Sequence, residues 1–558
     1  MSEPHPHPLY GKHAATLDRA LTAIRERAYW SAFNESPSPR VHGEDAAPRG
    51  KAAFEAYLDA NFSLDQPGTT GWVGGEKSPF GVPLDVRYPR PDVDALLGAA
   101  TAAMPAWRDA GPQTRAGVCL EILTRLSENV FELAHAVQFT SGQAFVMAFQ
   151  AGGAHALDRA LEALAYAYAE MTRIPASARW EKPAGKGEPL RMDKTWHVVP
   201  RGVGLVIGCN TFPTWNSYPG LFASLVTGNA VVVKPHPGAV LPLAVTVKYA
   251  REVLAEAGFD PNLVTLAAEA PSEGLASVLA LRPEVRIVDF TGSTEYGDWL
   301  EANARQAAVY TEKAGVNTVV VDSTDDFAGM CNNIAFSLVL YSGQMCTTPQ
   351  NILVPREGIA TEGGHKSFDE VAEGIGAAVG KLTGDPARGV ELTGAIVNEG
   401  VLERLERARG LGKVVLDSRA VVHPTFGDAV VRTPLILALD ADGEQAYGNE
   451  WFGPISFLVS TDSTEHSLEV FRRTVGRRGA LTAAVYSRDD KVLDDVERAA
   501  LDVGVHLSAN LTGGVFVNQS AAFSDFHGSG ANAAANAALT DGAYVASRFR
   551  IVQSRRHS

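Results

Sequence analysis

Short apolar runs alternate with helix-length segments in the middle of the chain, and this alternation constrains the fold more than any other feature. The run at 229–234 (NAVVVK) is rich in β-branched residues, which is typical of a strand buried on both faces. Around it we predict strands at 196–208 (with an internal turn), 263–267 and 285–290, and helices at 241–257 and 272–281. Strands and helices that alternate at this spacing predict a parallel α/β sheet.

A second alternating region runs from Val316 to about Asn518, and it predicts a second α/β domain joined to the first near 312–316. Two domains also suit 558 residues, which is too long for one compact core. The predicted strands of this region include VNTVVVD (316–322), ALTAAVYS (480–487) and GGVFVN (513–518).

The two ends of the chain differ from this pattern. Residues 1–75 are polar, and we predict an irregular exposed wrap or lid with a helical patch at 14–33, whereas 92–175 is strongly helical. The last apolar run, FRIVQSR (549–555), is an isolated strand. Its edge must pair either with its own domain or with a neighbouring subunit.

Charge and cysteine content limit the partners and the compartment. The net charge of 49 − 64 = −15 argues against nucleic acid or an anionic membrane as the main partner, because both need a basic face. Four cysteines without paired spacing argue against disulfides and against a metal site. The first residues lack an apolar signal core, and no apolar run is long enough to span a bilayer. We therefore expect a cytoplasmic protein without a bound metal.

One cysteine stands in an unusual setting. Cys346 lies in YSGQMCTTPQ (341–350), where Gly343 permits close backbone approach. Free cysteines are usually buried and inert. If a helix begins near Cys346, however, its first amides would stabilise a thiolate. Glu312 in TEKAG (311–315) could serve as a base, although a carboxylate beside Lys313 is more often part of a solvated surface pair.

Five segments in order give the chain a family resemblance. Across roughly residues 90–555 it resembles the aldehyde dehydrogenase superfamily, through TGNAVVVKP (227–235), FTGSTEYG (290–297), TEKAG (311–315), SGQMCTT (342–348) and EWFGP (450–454). The resemblance implies an α/β fold with two parallel-sheet domains and a small β oligomerisation element. It also implies a homodimer or homotetramer, with the strand at 549–555 as part of the subunit contact.

Domain boundaries follow from this resemblance. We expect an N-terminal extension at 1–90, and a Rossmann-like cofactor-binding domain at 91–312 that carries part of the oligomerisation element near 185–200. The catalytic domain is expected at 313–525, followed by a C-terminal loop and oligomerisation strand at 526–558. The segments 209–229 and 523–542 are most similar to a branch that includes the phenylacetate-degradation protein PaaN and semialdehyde dehydrogenases acting on CoA thioesters.

The resemblance assigns a mechanism to the two motif residues. The Cys346 thiolate would attack an aldehyde to give a thiohemiacetal, hydride would leave to a nicotinamide cofactor, and Glu312 would activate the water that hydrolyses the resulting thioester. The family also uses an asparagine to stabilise the oxyanion. Here Thr211 holds the formal position, so we favour Asn210, one residue earlier, and keep Thr211 and Asn216 as alternatives.

The implied cofactor residues are Lys234 on the ribose, Gly292 and Ser293 at the phosphates, and Glu450 and Phe452 at the nicotinamide ribose.

Cofactor preference is predicted from a departure from the family pattern. Relatives that use NAD often carry a glutamate three residues after the lysine, and here that position is Pro237. Without this carboxylate, Lys234 and His236 could help to bind a 2′-phosphate, which favours NADP without excluding NAD.

Three questions remain open from the residues alone. Asp525 and His527 could touch the substrate, although such a loop is more often structural. The substrate is expected to be an aldehyde, and it could be CoA-linked as in phenylacetate-type catabolism. The alternatives are a CoA-acylating dehydrogenase, which Glu312 argues against, and a catalytically idle binding or structural relative, which the intact set of Cys346, Glu312 and Lys234 argues against.

Overall fold

The secondary structure is given by a computed structural model that describes residues 6–185, 187–313 and 315–557. Its helices are α1 (Pro8–Glu26), α2 (Pro39–His42), α3 (Ala46–Glu55), α4 (Val93–Asp109), α5 (Gly111–Glu128), α6 (Val130–Ser141), α7 (Phe145–Phe149), α8 (Ala156–Thr172), α9 (Pro213–Val226), α10 (Leu241–Glu256), α11 (Leu275–Ala280), α12 (Thr294–Asn303), α13 (Phe327–Val339), α14 (Phe368–Thr383), α15 (Pro386–Thr393), α16 (Glu399–Ala408), α17 (Glu444–Tyr447), α18 (Thr464–Arg478), α19 (Asp490–Val503) and α20 (Gly542–Ala546).

Its strands are β1 (Thr69–Val73), β2 (Tyr88–Pro91), β3 (Ser177–Ala184), β4 (Gly187–Pro200), β5 (Val203–Ile207), β6 (Val231–Lys234), β7 (Val264–Leu266), β8 (Val285–Thr291), β9 (Ala308–Glu312), β10 (Thr318–Val321), β11 (Asn351–Pro355), β12 (Ile359–Thr361), β13 (Gly364–Lys366), β14 (Lys413–Leu416), β15 (Ala420–Val421), β16 (Val431–Arg432), β17 (Leu435–Asp440), β18 (Ile455–Thr461), β19 (Thr482–Tyr486), β20 (His506–Ala509) and β21 (Phe549–His557). No helix in the described ranges is both long enough and apolar enough to cross a membrane.

The first sheet is the one that the alternation at 196–290 predicts. Its five strands are parallel, in the order β7-β6-β5-β8-β9. Every residue of β5, β6 and β7 is buried, as expected for a sheet covered on both faces. The register pairs Ile207 with Lys234 and Thr291 with Glu312. Lys234 and Glu312 therefore end their strands at the same edge of the sheet.

The second sheet has seven strands in the order β14-β17-β18-β11-β10-β19-β20, all parallel except β14. Successive residues of β10 enter different apolar clusters, Val319 one and Val320 the other, so this sheet too is buried on both faces. With two parallel sheets and a three-stranded antiparallel sheet, β21-β4-β3, the predicted fold class is confirmed.

Three local predictions were wrong. The segment at 513–518 is a loop rather than a strand, because the Val515 carbonyl accepts a hydrogen bond from Asn333 of α13 (2.6 Å) instead of pairing in a sheet. The helix predicted at 272–281 begins only at Leu275, after Gly274 with φ +74°. The N-terminal residues are not an irregular wrap, since α1 packs on α5 and α8 with Leu17 buried.

A buried ion pair joins the C-terminal segment to the first sheet. Arg548 donates two hydrogen bonds to Asp289 of β8, at 2.6 and 2.7 Å, and Tyr544 donates a third to the same carboxylate at 2.8 Å. Burial opposes the charge on Arg548, but the facing carboxylate outweighs it and raises the pKa of the guanidinium. From there β21 pairs with β4 along its whole length, which is the intramolecular alternative predicted for the terminal strand.

We predict that Asp289→Ala will lower the free energy of unfolding by about 3–5 kcal/mol, because it leaves the Arg548 charge buried and unpaired. The matched control is Asp502→Ala, which removes an exposed ion pair with Arg472 (3.4 Å) and should cost less than about 1 kcal/mol. Chemical denaturation followed by tryptophan fluorescence measures both. Equal losses in the two variants would contradict the buried pair's role.

Candidate active site

Cys346 lies in a turn between α13 and β11, and the turn is fixed from the second sheet. Asn317, beside β10, donates to the carbonyls of Cys346 (2.8 Å) and Thr348 (3.0 Å), and its side-chain oxygen accepts from the amides of Leu481 and Thr482. The helix that the sequence allowed at Cys346 is absent, since the turn follows a short 3-10 helix at Leu340–Gly343. Helix amides therefore do not stabilise a thiolate there.

Gly343 sets the distance between the cysteine turn and the loop at 450–454. Its φ is +64°, and a Cβ at this position would lie 2.4 Å from the Gly453 carbonyl oxygen. Only glycine fits both the conformation and the contact. The close approach brings Phe452 and Cys346 to the walls of one cavity.

Three reactive side chains meet at the cysteine. The Nε2 atom of His527 lies 3.6 Å from the sulfur of Cys346 and 3.2 Å from Oε1 of Glu312. The reactive atoms of all three residues lie within 4.8 Å of one another. Burial raises the pKa of the Cys346 thiol well above its ordinary value, and the neighbouring Glu312 charge raises it further. The resting thiol is therefore protonated.

Glu312 is a buried group of the site, not the solvated surface carboxylate that the sequence left open. Its Oε2 accepts a hydrogen bond from Asn216 (3.1 Å), and its side chain is 4% exposed. Burial alone would raise the pKa of Glu312, but its contacts with the His527 ring, Cys346 and Asn216 outweigh it and lower that pKa. Lys313 points elsewhere, towards Asp298 (2.8 Å).

The candidate oxyanion residues have different partners. Asn210 donates from Nδ2 to the Thr140 carbonyl at 3.4 Å, a long contact that a better acceptor can replace. Asn216 is committed to Glu312, and the hydroxyl of Thr211 lies 3.9 Å from the sulfur of Cys209. All three line the cavity beside Cys346. Of the three, Asn210 has the side-chain donor that is easiest to free.

A cavity of about 610 Å³ extends from the cysteine along the carboxyl edge of the first sheet. Its walls include all eight residues predicted for the site, namely Cys346, Glu312, Asn210, Lys234, Gly292, Ser293, Glu450 and Phe452. Gly292 and Ser293 stand at the N-terminus of α12, where free amides and the helix dipole favour a phosphate. The size and these donors fit a nicotinamide dinucleotide.

Glu269 is a charged residue of this cavity that sequence reasoning missed. Glu269 forms a buried ion pair with Lys234 and accepts a hydrogen bond from the Leu275 amide (2.7 Å). Burial lowers the pKa of Lys234 despite this pair. Burial and the Lys234 charge also lower the pKa of His236 to about 4, so His236 is neutral near pH 7. The signal that could have found Glu269 is its place just after β7, the neighbour of the lysine strand.

The far wall is formed by Glu450, Phe452 and two further residues that sequence reasoning missed, Arg404 and Asn398. Arg404 donates to the Phe452 carbonyl at 2.8 Å. Burial raises the pKa of Glu450 to about 7, against the opposing effect of Arg404. Glu450 can therefore offer either a donor or an acceptor to a ligand hydroxyl near neutral pH.

The family model for the aldehyde dehydrogenase family matches residues 87–541. The chain belongs to the aldehyde dehydrogenase family. It is accordingly an oxidoreductase that acts on aldehydes.

Solved and curated relatives agree with this assignment. A crystal structure described as an NAD-dependent aldehyde dehydrogenase from Burkholderia multivorans is 61% identical, with a TM-score of 0.98 over 99% of each chain. A 1-pyrroline-5-carboxylate dehydrogenase from Bacillus subtilis is 25% identical over 72% of this chain and 75% of its own length. A Thermus 1-pyrroline-5-carboxylate dehydrogenase with bound NAD has a TM-score of 0.72 over 95% of this chain and all of its own, but at 20% identity it shows the fold alone.

We predict that Gly343→Ala will destabilise the enzyme by about 2 kcal/mol or more and lower aldehyde oxidation about 100-fold, because it strains the backbone and displaces Cys346. The control is Gly380→Ala in α14, where a Cβ meets no atom within 4 Å and stability should stay equal or rise by about 0.5–1 kcal/mol. Denaturation and steady-state kinetics test both. A Gly343→Ala enzyme with wild-type turnover would refute the close-approach argument.

Proposed function

We propose that this enzyme oxidises an aldehyde to a carboxylic acid, with a nicotinamide dinucleotide as oxidant and Cys346 as nucleophile. The observation that carries the proposal is the buried Glu312 carboxylate, held by Asn216 at the same point of the cavity as the cysteine sulfur. A buried carboxylate is costly unless it has a role or a full set of partners. Among the described residues, none donates a well-aligned hydrogen bond to Oε1, so this oxygen is available to a reactant.

The residues of the chain supply the following steps. Cys346 attacks the aldehyde carbon, and the oxygen that becomes negative is stabilised by the Asn210 side chain and by the backbone amide of Cys346. When bound, the dinucleotide supplies the oxidant that converts the thiohemiacetal into a thioester. Glu312 then takes a proton from the attacking water, and the acid product leaves.

The presence of Glu312 also separates this proposal from its alternatives. A CoA-acylating enzyme transfers the acyl group to CoA and has no need for a base that activates water. An idle relative has no need to bury Glu312, His527 and Cys346 against one another. Both alternatives would leave the cost of the buried carboxylate unexplained.

For the substrate we propose a semialdehyde, CoA-linked, of phenylacetate-type catabolism, as in the PaaN-like branch. The two segments that resemble this branch support the proposal, because both reach the site. The segment 209–229 supplies Asn210, and the segment 523–542 supplies His527. Curated relatives carry other names, among them 4-trimethylaminobutyraldehyde dehydrogenase B of Danio rerio at 25% identity over 72% of this chain and 73% of its own length. A panel of aliphatic, aromatic and CoA-linked aldehydes, compared by kcat/KM, separates these classes.

We further propose the domain division predicted above. It is supported by the sheets, since the five-stranded sheet lies within 91–312 and the seven-stranded sheet within 313–525. The proposed subunit contact is the exposed sheet β3-β4-β21. Two large apolar side chains on it, Leu190 and Val552, are half exposed.

The choice between the two dinucleotides depends on Lys234. The preference for NADP predicted from Pro237 stays a prediction, and the cavity offers two arguments against it. The Glu269 carboxylate forms an ion pair with Lys234, and His236 is neutral near pH 7. The pocket therefore has no surplus positive charge to attract a 2′-phosphate. Together with the Burkholderia multivorans relative described as NAD-dependent, this leads us to propose NAD as the working cofactor.

Glu269→Gln should tighten NADP binding about tenfold relative to NAD, the factor that about 1.4 kcal/mol of removed repulsion gives. Calorimetric titration of both cofactors measures the change without turnover. Glu273→Gln is the control, because Glu273 pairs with Arg90 (2.7 Å) outside the cavity walls. The proposed role of Glu269 would be contradicted if wild type binds NADP more tightly than NAD and Glu269→Gln changes the dissociation constant of neither cofactor.

Two variants test the mechanism. Cys346→Ala should form no product and no burst, whereas Glu312→Gln should release one equivalent of reduced cofactor and then turn over about 10²–10⁴-fold more slowly, because the thioester persists. Rapid-mixing absorbance records the burst, and intact mass detects the acyl group on Cys346. Cys331→Ala, which removes a buried core thiol, is the control that should keep turnover. Turnover by Cys346→Ala would disprove the proposed function.

The oligomer should have two or four times the chain mass of 59.3 kDa in light scattering. Leu190→Glu combined with Val552→Glu should shift the mass towards the monomer, because each places a charge in the proposed apolar contact. Val422→Glu, at a side chain 79% exposed and outside this sheet, should leave the mass unchanged. A wild-type monomer would contradict the proposed contact.

A further inference from the structure

The imidazole of His527 contacts both reacting side chains of the site. Its Nε2 lies 3.6 Å from the Cys346 sulfur and 3.2 Å from Oε1 of Glu312, and the residue is 5% exposed. The mechanism proposed above gives this ring no task. An imidazole within reach of a thiol is nevertheless a recurrent way to activate a cysteine nucleophile.

The position of the ring is set by its surroundings. His527 and Leu539 exchange two backbone hydrogen bonds, at 3.1 and 2.9 Å. Arg159 donates to the Asp525 carbonyl at 2.9 Å and, at 3.2 Å, to the same Leu539 carbonyl that accepts from the His527 amide. The edge-to-face contact with Trp215, at 4.6 Å between ring centres, fixes the plane of the imidazole. The ring is therefore preorganised, as a proton acceptor must be.

Of the charged side chains near the ring, Glu312 is the one that faces Nε2 directly. Glu312 Oε2 accepts a hydrogen bond from Asn216, while Oε1 faces His527 and has no aligned donor among the described residues. Behind the Trp215 ring, the Arg159 charge lies 5.4 Å from the ring centre and is paired with Glu162 at 2.7 Å. Glu162 is also bound by Arg27 at 3.1 Å. The group that can stabilise an imidazolium here is thus Glu312.

We propose that His527 is the catalytic base that accepts the Cys346 thiol proton, so that Glu312 is left to act on water. The S–H bond breaks and its proton moves to Nε2. The electron pair left on sulfur forms the C–S bond, and the carbonyl π pair moves to oxygen. The resulting imidazolium is paired with Oε1 of Glu312. This inference rests on the proposed function in taking Cys346 as the nucleophile.

The second half of the reaction returns the proton. After oxidation by the dinucleotide, water attacks the thioester carbon and gives one proton to Glu312. The C–S bond breaks with its electron pair on sulfur, and His527 gives the stored proton back to that sulfur. Glu312 then releases its proton to solvent. The sum is aldehyde, water and oxidised cofactor converted to acid, reduced cofactor and one proton.

The test combines His527→Ala, His527→Gln and the control His506→Ala. His506 contacts the Gly528 carbonyl at 3.0 Å, so its loss disturbs the same loop without touching Cys346. In His527→Ala at pH 7, we expect the burst rate to fall about 10²–10⁴-fold. We also expect iodoacetamide to alkylate Cys346 more slowly, with its pH profile moved to higher pH. Added imidazole should restore both rates, and His506→Ala should keep wild-type rates.

Two results would overturn the proposal. One is a His527→Ala enzyme whose burst and alkylation profile match wild type. The other is a lost burst that neither imidazole nor higher pH restores, because that would mean a positional role alone. If His527→Ala does not fold by circular dichroism, His527→Gln, which fills the site without a base, must show the same slow alkylation. Failure of the proposed function itself would appear separately, as turnover by Cys346→Ala.

Discussion

The buried pair of Arg548 and Asp289 determines whether the chain can build its site at all. Breaking such a pair leaves a charge in the interior, so the pair holds the C-terminal residues to the first sheet. This anchor fixes the segment that precedes it. Ala535 pairs with Glu312 as an isolated bridge, and the Ala534 carbonyl accepts from the Lys313 amide. His527 arrives at Cys346 only because that returning segment passes along the end of β9.

The site is consequently built from three separate parts of the chain, each fixed by backbone contacts. Glu312 is placed by the end of β9 in the first sheet, Cys346 by the Asn317 hydrogen bonds from the second sheet, and His527 by its pairing with Leu539. Small displacements of reacting groups cost large factors in rate, so this rigidity has a direct chemical value. Gly343 adds the same constraint between the cysteine turn and the opposite wall of the cavity.

Features of the fold and the site could be predicted from the sequence where they depend on residues close together in the chain, and not where they depend on contacts between distant residues. The strands β6 and β8 were predicted correctly because a buried β-branched run is a local signal. The run GGVFVN has a similar local signal, yet it is a loop, because its hydrogen bond to Asn333 of α13 is a tertiary contact that overrides propensity. The motif order located Cys346 and Glu312. It could not show that His527 lies between them, since this contact spans 181 residues of chain.

The same limit applies to the charge of the cofactor pocket, which the lysine motif alone does not determine. Counting three residues beyond Lys234 tests one position on one loop, and Pro237 there is uncharged. A pocket is sensitive to any carboxylate in contact with the lysine, whichever strand brings it, because Coulomb energy depends on distance and burial and not on sequence separation. Glu269 follows the neighbouring strand β7 and reaches the same ammonium group. The lysine therefore enters the cavity already paired with a carboxylate, a contact that no count along the lysine motif can show.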